Sequence, residues 1–181
     1  MGRVIIFPTD TVYGIGTQIF DIEGIKRIYE IKNRPLDKPL ACLCANLEQI
    51  ESISYVTEDA KKLINKFLPG GLTLILESKE EVKDKIGYKT IGVRIPNSKI
   101  ALKILEENGP MLTTSVNDSG ETPMNHYDEI VNKYCKLVDK IYDNDSKILE
   151  IPSTVVMIVN GKVNILREGT IKMDEIKRVL N

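Results

Sequence analysis

Short apolar segments rich in β-branched residues recur along the chain and predict the strands of a sheet. They are Val4–Phe7, Leu40–Cys44, Leu72–Leu76, Ile91–Ile95, Met111–Val116, Thr154–Val159 and Val163–Leu166. Many of these segments are apolar at consecutive positions, which indicates that both faces of the sheet are covered.

Amphipathic segments between the predicted strands have the spacing of helices that bury one face. Asp21 is a suitable N-cap for the first, whose buried positions are Ile22, Ile25, Ile28 and Tyr29. Thr57 begins a second helix and Ser98 a third, which ends near Asn108–Gly109 with the glycine as a left-handed stop. A terminal helix spans Asp174–Leu180. Strands interleaved with helices predict a layered α/β domain with a mixed sheet.

The length of 181 residues fits a single domain, predicted over residues 1–181, with an ordinary core. The net charge of −1 excludes a strongly basic surface, so any contact with nucleic acid requires a local patch. No apolar stretch is long enough for a membrane span. The first apolar run is interrupted by Pro8, Thr9 and Asp10, so it does not have the pattern of a signal peptide. A cytoplasmic location without membrane attachment is therefore expected.

The few cysteines and the single histidine exclude several kinds of metal site and catalytic mechanism. Cys42 and Cys44 are one residue apart and Cys135 is remote, which argues against a disulfide framework or a zinc site and favours reduced, buried or half-buried thiols. His126 is the only histidine, so a histidine metal cluster and most Ser/His or Cys/His mechanisms are excluded unless it takes part. Neither a GxxxxGK[ST] loop nor a GxGxxG fingerprint occurs.

Polar residues cluster where the apolar segments end. The clusters are Thr9–Thr11, Arg94, Thr113–Asn117, Ser153 and Arg167. Ligand sites in open α/β sheets lie at strand ends, so several of these clusters could converge on one cleft. A nucleotide, if one is bound, would be held by these scattered groups.

Two segments carry most of the candidate chemistry. FPTDTVYGIG, from Phe7, supplies hydroxyls and a carboxylate, followed by glycines that suit close approach of the backbone; an ordinary capped turn is the alternative. KNRPLDKPL, from Lys32, places three cations in a segment whose prolines end any helix. Such cations suit a polyphosphate, although the pattern taken alone favours a solvated basic loop.

Arg94 is the cation most in need of a partner, because it lies inside the apolar run Ile91–Pro96. Either a structural carboxylate or the carboxylate of a ligand, bound in a bidentate manner, would satisfy it. Further along, the segment Thr113–Gly120 ends a strand in hydroxyl and amide groups. Its turn could present backbone N–H groups to an anion.

Taken in order, seven motifs resemble those of the YrdC family of threonylcarbamoyl-AMP synthases. They are FPTDTVYGIG, KNRPLDKPL, LPGGLTLIL, TIGVRIPNS, TTSVNDSG, PSTVV and ILREGTI, and they run from Phe7 to Ile171. The resemblance implies a three-layer α/β fold with a strongly twisted mixed sheet around a large cleft. It also implies synthesis of threonylcarbamoyl-AMP and pyrophosphate from threonine, bicarbonate and ATP, for modification of a tRNA adenosine.

The resemblance also implies roles for individual residues. Thr11, Arg94, Thr113 and Ser153 match positions around threonine. The positions that match the surroundings of ATP are Arg34, Lys38, Thr90, Ser115, Asn117, Pro123 and Arg167. Lys32, Arg34 and Lys38 are the cations expected to act in catalysis. Mg²⁺ is expected to arrive with ATP and to need no dedicated protein ligands.

Some positions depart from the family pattern. Val116 stands where the family has alanine, so the extra bulk could narrow the site, and Leu43 stands where archaeal-type members often have histidine. Two other functions stay open: a diverged paralogue that uses another carbamoyl or nucleotide substrate, and an RNA-binding module. The net charge disfavours the RNA-binding module, although weak contact with tRNA or double-stranded RNA and with other tRNA-modification proteins is compatible with the family.

Overall fold

The computed structural model describes residues 2–144 and 147–180, so both termini of the predicted domain, Met1 and Asn181, lie outside the described residues. The strands are β1 (Ile5–Phe7), β2 (Gly14–Gln18), β3 (Ala41–Leu43), β4 (Leu72–Glu77), β5 (Thr90–Arg94), β6 (Met111–Ser115), β7 (Lys140–Ile141), β8 (Thr154–Val159) and β9 (Lys162–Arg167). The helices are α1 (Ile22–Ile31), α2 (Leu47–Ile53), α3 (Glu58–Phe67), α4 (Glu80–Ile86), α5 (Lys99–Asn108), α6 (Tyr127–Tyr134) and α7 (Met173–Leu180).

These strands form one sheet in the order β7-β1-β2-β6-β3-β5-β4-β8-β9. The pairs β1/β7, β3/β5 and β4/β8 are parallel and the other neighbours are antiparallel. The prediction of an α/β domain with a mixed sheet is therefore confirmed.

The two faces of the sheet are covered to different extents, because successive residues of a strand point to opposite sides. On one face, residues such as Leu74, Val93 and Val156 join the main core together with apolar residues of α1, α2, α3, α6 and α7. On the other face, Phe7 and Leu43 pack with residues of α5 in a smaller core. Helices therefore flank the sheet on both sides, which gives three layers and agrees with the prediction that both faces are covered, although α5 covers only part of the second face.

The starts of α1, α3 and α5 follow from local chemistry and were predicted from the sequence. The side chains of Asp21, Thr57 and Ser98 accept hydrogen bonds from the backbone of Gly24, Ala60 and Ala101, at 2.9, 3.3 and 3.3 Å. Each bond satisfies an N–H group that the first helical turn leaves without a partner. The three sequence-predicted N-caps are confirmed.

Five elements were not predicted from the sequence: β2, β7, α2, α4 and α6. The segment of β2 contains two glycines, Gly14 and Gly16, and resembles a turn. It becomes a strand because β1 and β6 hydrogen-bond to its two sides. The other four are short, at two to eight residues, so their apolar periodicity was weak.

Two smaller predictions need correction. Gly109 has φ 77° and ψ −169°, a positive-φ conformation that suits glycine but lies outside the left-handed helical region, whereas Gly87 at the end of α4 is a left-handed C-cap. Cys42 and Cys44 are buried as predicted, and burial raises the pKa of the Cys42 thiol well above its ordinary value. Cys135, in contrast, is exposed because it follows α6 on the surface.

Candidate active site

A cleft of about 520 Å³ opens on the part of the sheet that α5 leaves uncovered. Ten of the twelve sequence-predicted site residues line it: Thr11, Arg34, Thr90, Arg94, Thr113, Ser115, Asn117, Pro123, Ser153 and Arg167. The structure thus brings together residues from β5, β6 and β9, from the loops before β2 and β8, and from the loops after α1 and β6. Lys32 and Lys38 are not among the lining residues.

The bottom of the cleft is the sheet face itself. In β5, Ile91 and Val93 point into the main core, whereas Thr90, Gly92 and Arg94 line the cleft. The same alternation places Thr73 and Ile75 of β4, and Val155 and Met157 of β8, on the cleft side. The polar residues therefore converge as predicted, since Arg94, Ser115 and Arg167 are the last residues of β5, β6 and β9. Other polar residues of the cleft, Thr73 and Thr113, lie on the face of the sheet within β4 and β6. Alternation of apolar with small or polar residues was the signal that identifies this face.

Arg94 is 6% exposed and is held by three acceptors. Its Nε donates to the Gly70 carbonyl at 2.9 Å, its Nη1 to Thr11 Oγ1 at 2.7 Å, and its Nη2 to Asp10 Oδ1 at 2.5 Å. A guanidinium has five N–H bonds. Within the described part of the chain, one N–H on each terminal nitrogen is left for a ligand, and this pair suits a carboxylate.

The charged side chains around Arg94, one carboxylate and a second guanidinium, favour the binding of one anion. Burial lowers the pKa of Arg94, and the Asp10 carboxylate acts in the opposite direction by stabilising the charged form. A second cation, Arg167, lies close enough to oppose that charge, and it donates from Nε and Nη2 to the Ser153 carbonyl at 3.1 and 2.9 Å. Both carboxylate partners considered for Arg94 from the sequence therefore remain compatible with the geometry, Asp10 as the structural one and a ligand as the second.

Lys32 is buried, with 1% exposure, and occupies the C-cap of α1. Its Nζ donates to the Ser115 carbonyl at 2.5 Å and to the carbonyl and side-chain oxygens of Asn117 at 2.6 and 2.9 Å. The ammonium therefore stabilises the turn after β6 through hydrogen bonds and is not exposed to solvent in a basic loop. Asn117 Oδ1 also accepts from the Ser115 hydroxyl at 2.6 Å, so Lys32 positions two of the polar residues that line the cleft.

Arg34 and Lys38 differ in what they offer to a ligand. Arg34 lines the cleft, and its Nε and Nη2 donate to the carbonyls of Lys38 and Pro39, each at 2.9 Å. Lys38 is exposed, and its backbone carbonyl rather than its ammonium is tied into the loop. Of the three cations in the segment 32–40, Arg34 alone lines the cleft in this structure.

For ATP, the nucleotide that the family resemblance implies, affinity is expected to fall between pH 7 and pH 9. Burial, together with the smaller effect of the nearby Arg34 charge, lowers the pKa of Lys32 from its ordinary value to about 8. The protonated share of such a group falls from roughly nine-tenths at pH 7 to one-tenth at pH 9. Loss of this cation beside the cleft should raise the Kd of ATP about three- to tenfold, measured by titration calorimetry.

The same titration has the opposite effect on folding. Because the folded pKa lies below the unfolded value, the unfolded chain binds more protons between about pH 8 and 10.5, and the Lys32 contribution to stability rises with pH there. Weaker binding at pH 9 would thus not result from unfolding. Lys32→Met should show no such pH dependence, and an equal dependence in this variant would refute the assignment.

Other sequence expectations are corrected by the surroundings of β6. Val116 is fully buried in the main core, so its bulk fills that core and does not narrow the cleft. The backbone N–H groups of Val116, Ser119 and Glu121 donate to carbonyls of Tyr13, Lys32 and Asp118, so these three are not presented to an anion. The exposed His126 is the N-cap of α6 and does not line the cleft.

Sequence reasoning missed the roles of two residues that shape the site. Asp10 orients Arg94, and the Thr73 hydroxyl hydrogen-bonds to the Ser153 hydroxyl at 2.8 Å. Both residues stand in quoted motifs, but their partners are far away in sequence. Gly16 permits the close approach of the backbone that its motif predicted, here of β2 to β6, since a Cβ at this position would lie 2.8 Å from Thr113 Oγ1.

The chain is similar to known proteins over most of its length. The model of the Sua5/YciO/YrdC family, described as telomere recombination, matches residues 1–169. The chain belongs to this family. A relative from Methanocaldococcus jannaschii, provisionally named threonylcarbamoyl-AMP synthase, is 36% identical over 98% of this chain and 84% of its own.

Solved structures of the family share the fold. Sua5 of Pyrococcus abyssi, in complex with L-threonine, superposes with a TM-score of 0.91 at 34% identity over 99% of this chain and 54% of its own. The YciO structure from Escherichia coli gives a TM-score of 0.86 at 31% identity, over 97% of this chain and 87% of its own. This chain therefore spans about half the length of the Sua5 protein and most of the length of YciO.

Among residues 2–144 and 147–180, no three or more His, Cys, Asp and Glu side chains are grouped so that they could hold a metal ion. Within the same residues, no helix is both long enough and apolar enough to cross a lipid bilayer.

Proposed function

We propose that this chain forms threonylcarbamoyl-AMP and pyrophosphate from L-threonine, bicarbonate or CO₂, and ATP. The observation that carries the proposal is Arg94, a buried guanidinium that lines the cleft beside a cluster of hydroxyl groups and uses three of its five N–H bonds on acceptors of the described residues. Support also comes from relatives named threonylcarbamoyl-AMP synthase in Pyrococcus abyssi and Bacillus subtilis, of which the chain spans 54% and 53%.

The amino acid would bind with its carboxylate on Arg94. The hydroxyl of Thr9 donates to the Val12 carbonyl at 2.6 Å, so the Thr11 hydroxyl donates to Thr9, at 3.2 Å, and accepts from Arg94. Thr11 Oγ1 then keeps one acceptor position for the amine of the substrate. The hydroxyls of Thr113 and Ser153 would bind the remaining polar groups of threonine.

ATP would occupy the opposite part of the cleft. Ile75, Met157 and Leu40 offer apolar surface to a base, and Arg34 offers the N–H groups that its loop does not use. Ser115 and Asn117, fastened by Lys32, would face the phosphates. Lys38, on a flexible side chain at the surface, would reach the outer phosphates.

The reaction needs no nucleophile from the protein. The amine of threonine adds to CO₂ and loses a proton, giving a carbamate. A carbamate oxygen then forms a bond to the α-phosphorus of ATP while the bond to the β-phosphate oxygen breaks, releasing pyrophosphate. The protein contributes by holding the two reactants in contact and by placing cations near the charge that develops on the phosphates. Lys32, Arg34, Lys38 and Arg167 supply these cations.

Among the described residues that line the cleft, Glu121 has the one carboxylate. Because a single carboxylate cannot fill the coordination sphere of Mg²⁺, the ion would bind mainly to phosphate oxygens and water. When bound, the ion neutralises charge on the triphosphate. A site with few protein ligands suits a metal that enters with the nucleotide. The product would serve a reaction that modifies tRNA. The protein would accordingly act in the cytoplasm, in contact with tRNA and with other tRNA-modification proteins.

Incubation with threonine, bicarbonate and ATP is expected to give threonylcarbamoyl-AMP, detected by mass spectrometry. EDTA should stop the reaction, because unshielded triphosphate charge opposes attack at phosphorus. His126→Ala and Cys42→Ala should keep product formation, since neither residue lines the cleft. Full activity in EDTA would refute the role given to Mg²⁺, and absence of product under all conditions would refute the proposed function.

A diverged paralogue is the second candidate, because the chain is also 33% identical to YciO of Escherichia coli over 93% of its length. Titration with threonine and with ATP separates the two, since a paralogue with another substrate would bind only one of them. RNA binding as the main function would instead appear as tRNA affinity that falls steeply with salt.

A further inference from the structure

Two tyrosines outside the cleft are joined to the loop that carries Arg34. Tyr29 lies in α1 and is 8% exposed, and Tyr88 lies between α4 and β5. Their hydroxyl oxygens are 3.1 Å apart. Tyr29 also donates to the carbonyl of Lys38 at 3.0 Å, and the backbone N–H of Leu40 donates to the Tyr88 hydroxyl at 3.0 Å.

The direction of each proton follows from these contacts. A carbonyl only accepts, so the single proton of the Tyr29 hydroxyl goes to Lys38, and the Tyr88 hydroxyl must donate to Tyr29. The result is a chain of three hydrogen bonds: from Leu40 N–H to Tyr88, from Tyr88 to Tyr29, and from Tyr29 to the Lys38 carbonyl. Hydrogen bonds linked in this way polarise and strengthen one another.

This chain of hydrogen bonds ends on the Lys38 carbonyl, which also accepts a hydrogen bond from Arg34. The Lys38 carbonyl accepts both from Tyr29 and from Nε of Arg34. Tyr88 adds a second link, because it precedes β5, whose first residue, Thr90, lines the cleft. The two hydroxyls therefore connect the Arg34 loop to the strand beside it, although neither tyrosine lines the cleft.

We infer that Tyr88 and Tyr29 are positioning residues, which hold the loop of Arg34 in the form that receives the triphosphate of ATP. The inference rests on the proposed function, in that ATP is taken as the ligand of Arg34. A fixed loop lowers the conformational cost of binding, so loss of the link weakens ATP binding and leaves the threonine side of the cleft unchanged.

Tyr88→Phe is the decisive variant, because it removes the hydroxyl and keeps the ring. It is expected to raise the KM and Kd of ATP about three- to tenfold, with kcat and the KM of threonine changed less than about twofold. Tyr55→Phe is the matched control, since Tyr55 is 48% exposed and lies away from the loop in sequence. The amide of Leu40 should exchange its hydrogen faster in Tyr88→Phe and at the wild-type rate in Tyr55→Phe.

A double-mutant cycle tests whether Tyr88 acts through Arg34. In the Arg34→Ala background, Tyr88→Phe should change ATP affinity less than about twofold, because there is no guanidinium left to position. An unchanged effect in that background would overturn the inference, as would equal losses for ATP and threonine or wild-type ATP affinity in Tyr88→Phe. A wild-type chain that binds no ATP would refute the proposed function, whatever the amide exchange of Leu40 shows.

Discussion

Arg94→Lys is expected to lower kcat/KM for threonine about 10- to 150-fold, the loss of roughly 1.5–3 kcal/mol for a charge-assisted contact. A lysine ammonium cannot hold Asp10, Thr11 and the Gly70 carbonyl and still present two parallel N–H bonds to a carboxylate. The Asp10 pair can survive the substitution, so folding should be less affected than activity. ATP affinity should change little.

The measurement is threonine-dependent release of pyrophosphate, with Arg178→Lys in α7 as the matched control at an exposed arginine. Wild-type activity in Arg94→Lys would leave Arg94 as a structural partner of Asp10. Valine, which has the shape of threonine without its hydroxyl, should be a much poorer substrate, because it would leave polar groups of the site unpaired. Equal rates for valine and threonine would favour the paralogue.

Lys32→Met is expected to affect both folding and nucleotide binding. The variant leaves the Ser115 and Asn117 carbonyls without their buried donor, and each such loss costs about 1–3 kcal/mol. Relief of the desolvated charge offsets part of this cost, so we expect the free energy of unfolding to fall by roughly 2 kcal/mol. The Kd of ATP should rise at least about tenfold, since Asn117 and Ser115 lose their anchor.

Chemical denaturation and ATP titration measure the two effects separately. Lys26→Met is the matched control, because Lys26 belongs to the same helix and its side chain is 63% exposed. Unchanged ATP affinity in Lys32→Met at a temperature where it is fully folded would show that Lys32 has only a structural role. Loss of ATP binding without loss of stability would place its ammonium on the phosphates directly.

The family and the convergence of the site were accessible from the sequence. Seven motifs in order were specific to the family, and ten of the twelve residues carried over from it line one cleft. Polar residues inside apolar strands were informative because the interior tolerates them only with partners. Arg94 is the clearest example, although the sequence did not reveal that Asp10 is one of those partners.

The sequence alone determined the elements whose causes are local. Asp21, Thr57 and Ser98 cap helices through bonds three residues away, and the apolar runs of β4, β5 and β8 form strands. Only the tertiary structure decided that β2 is a strand, because its bonds come from β1 and β6. It also decided that the ammonium of Lys32 is buried against the turn after β6, 83 to 85 residues away. Contacts at such separations depend on the packing of the whole sheet, which no local pattern specifies.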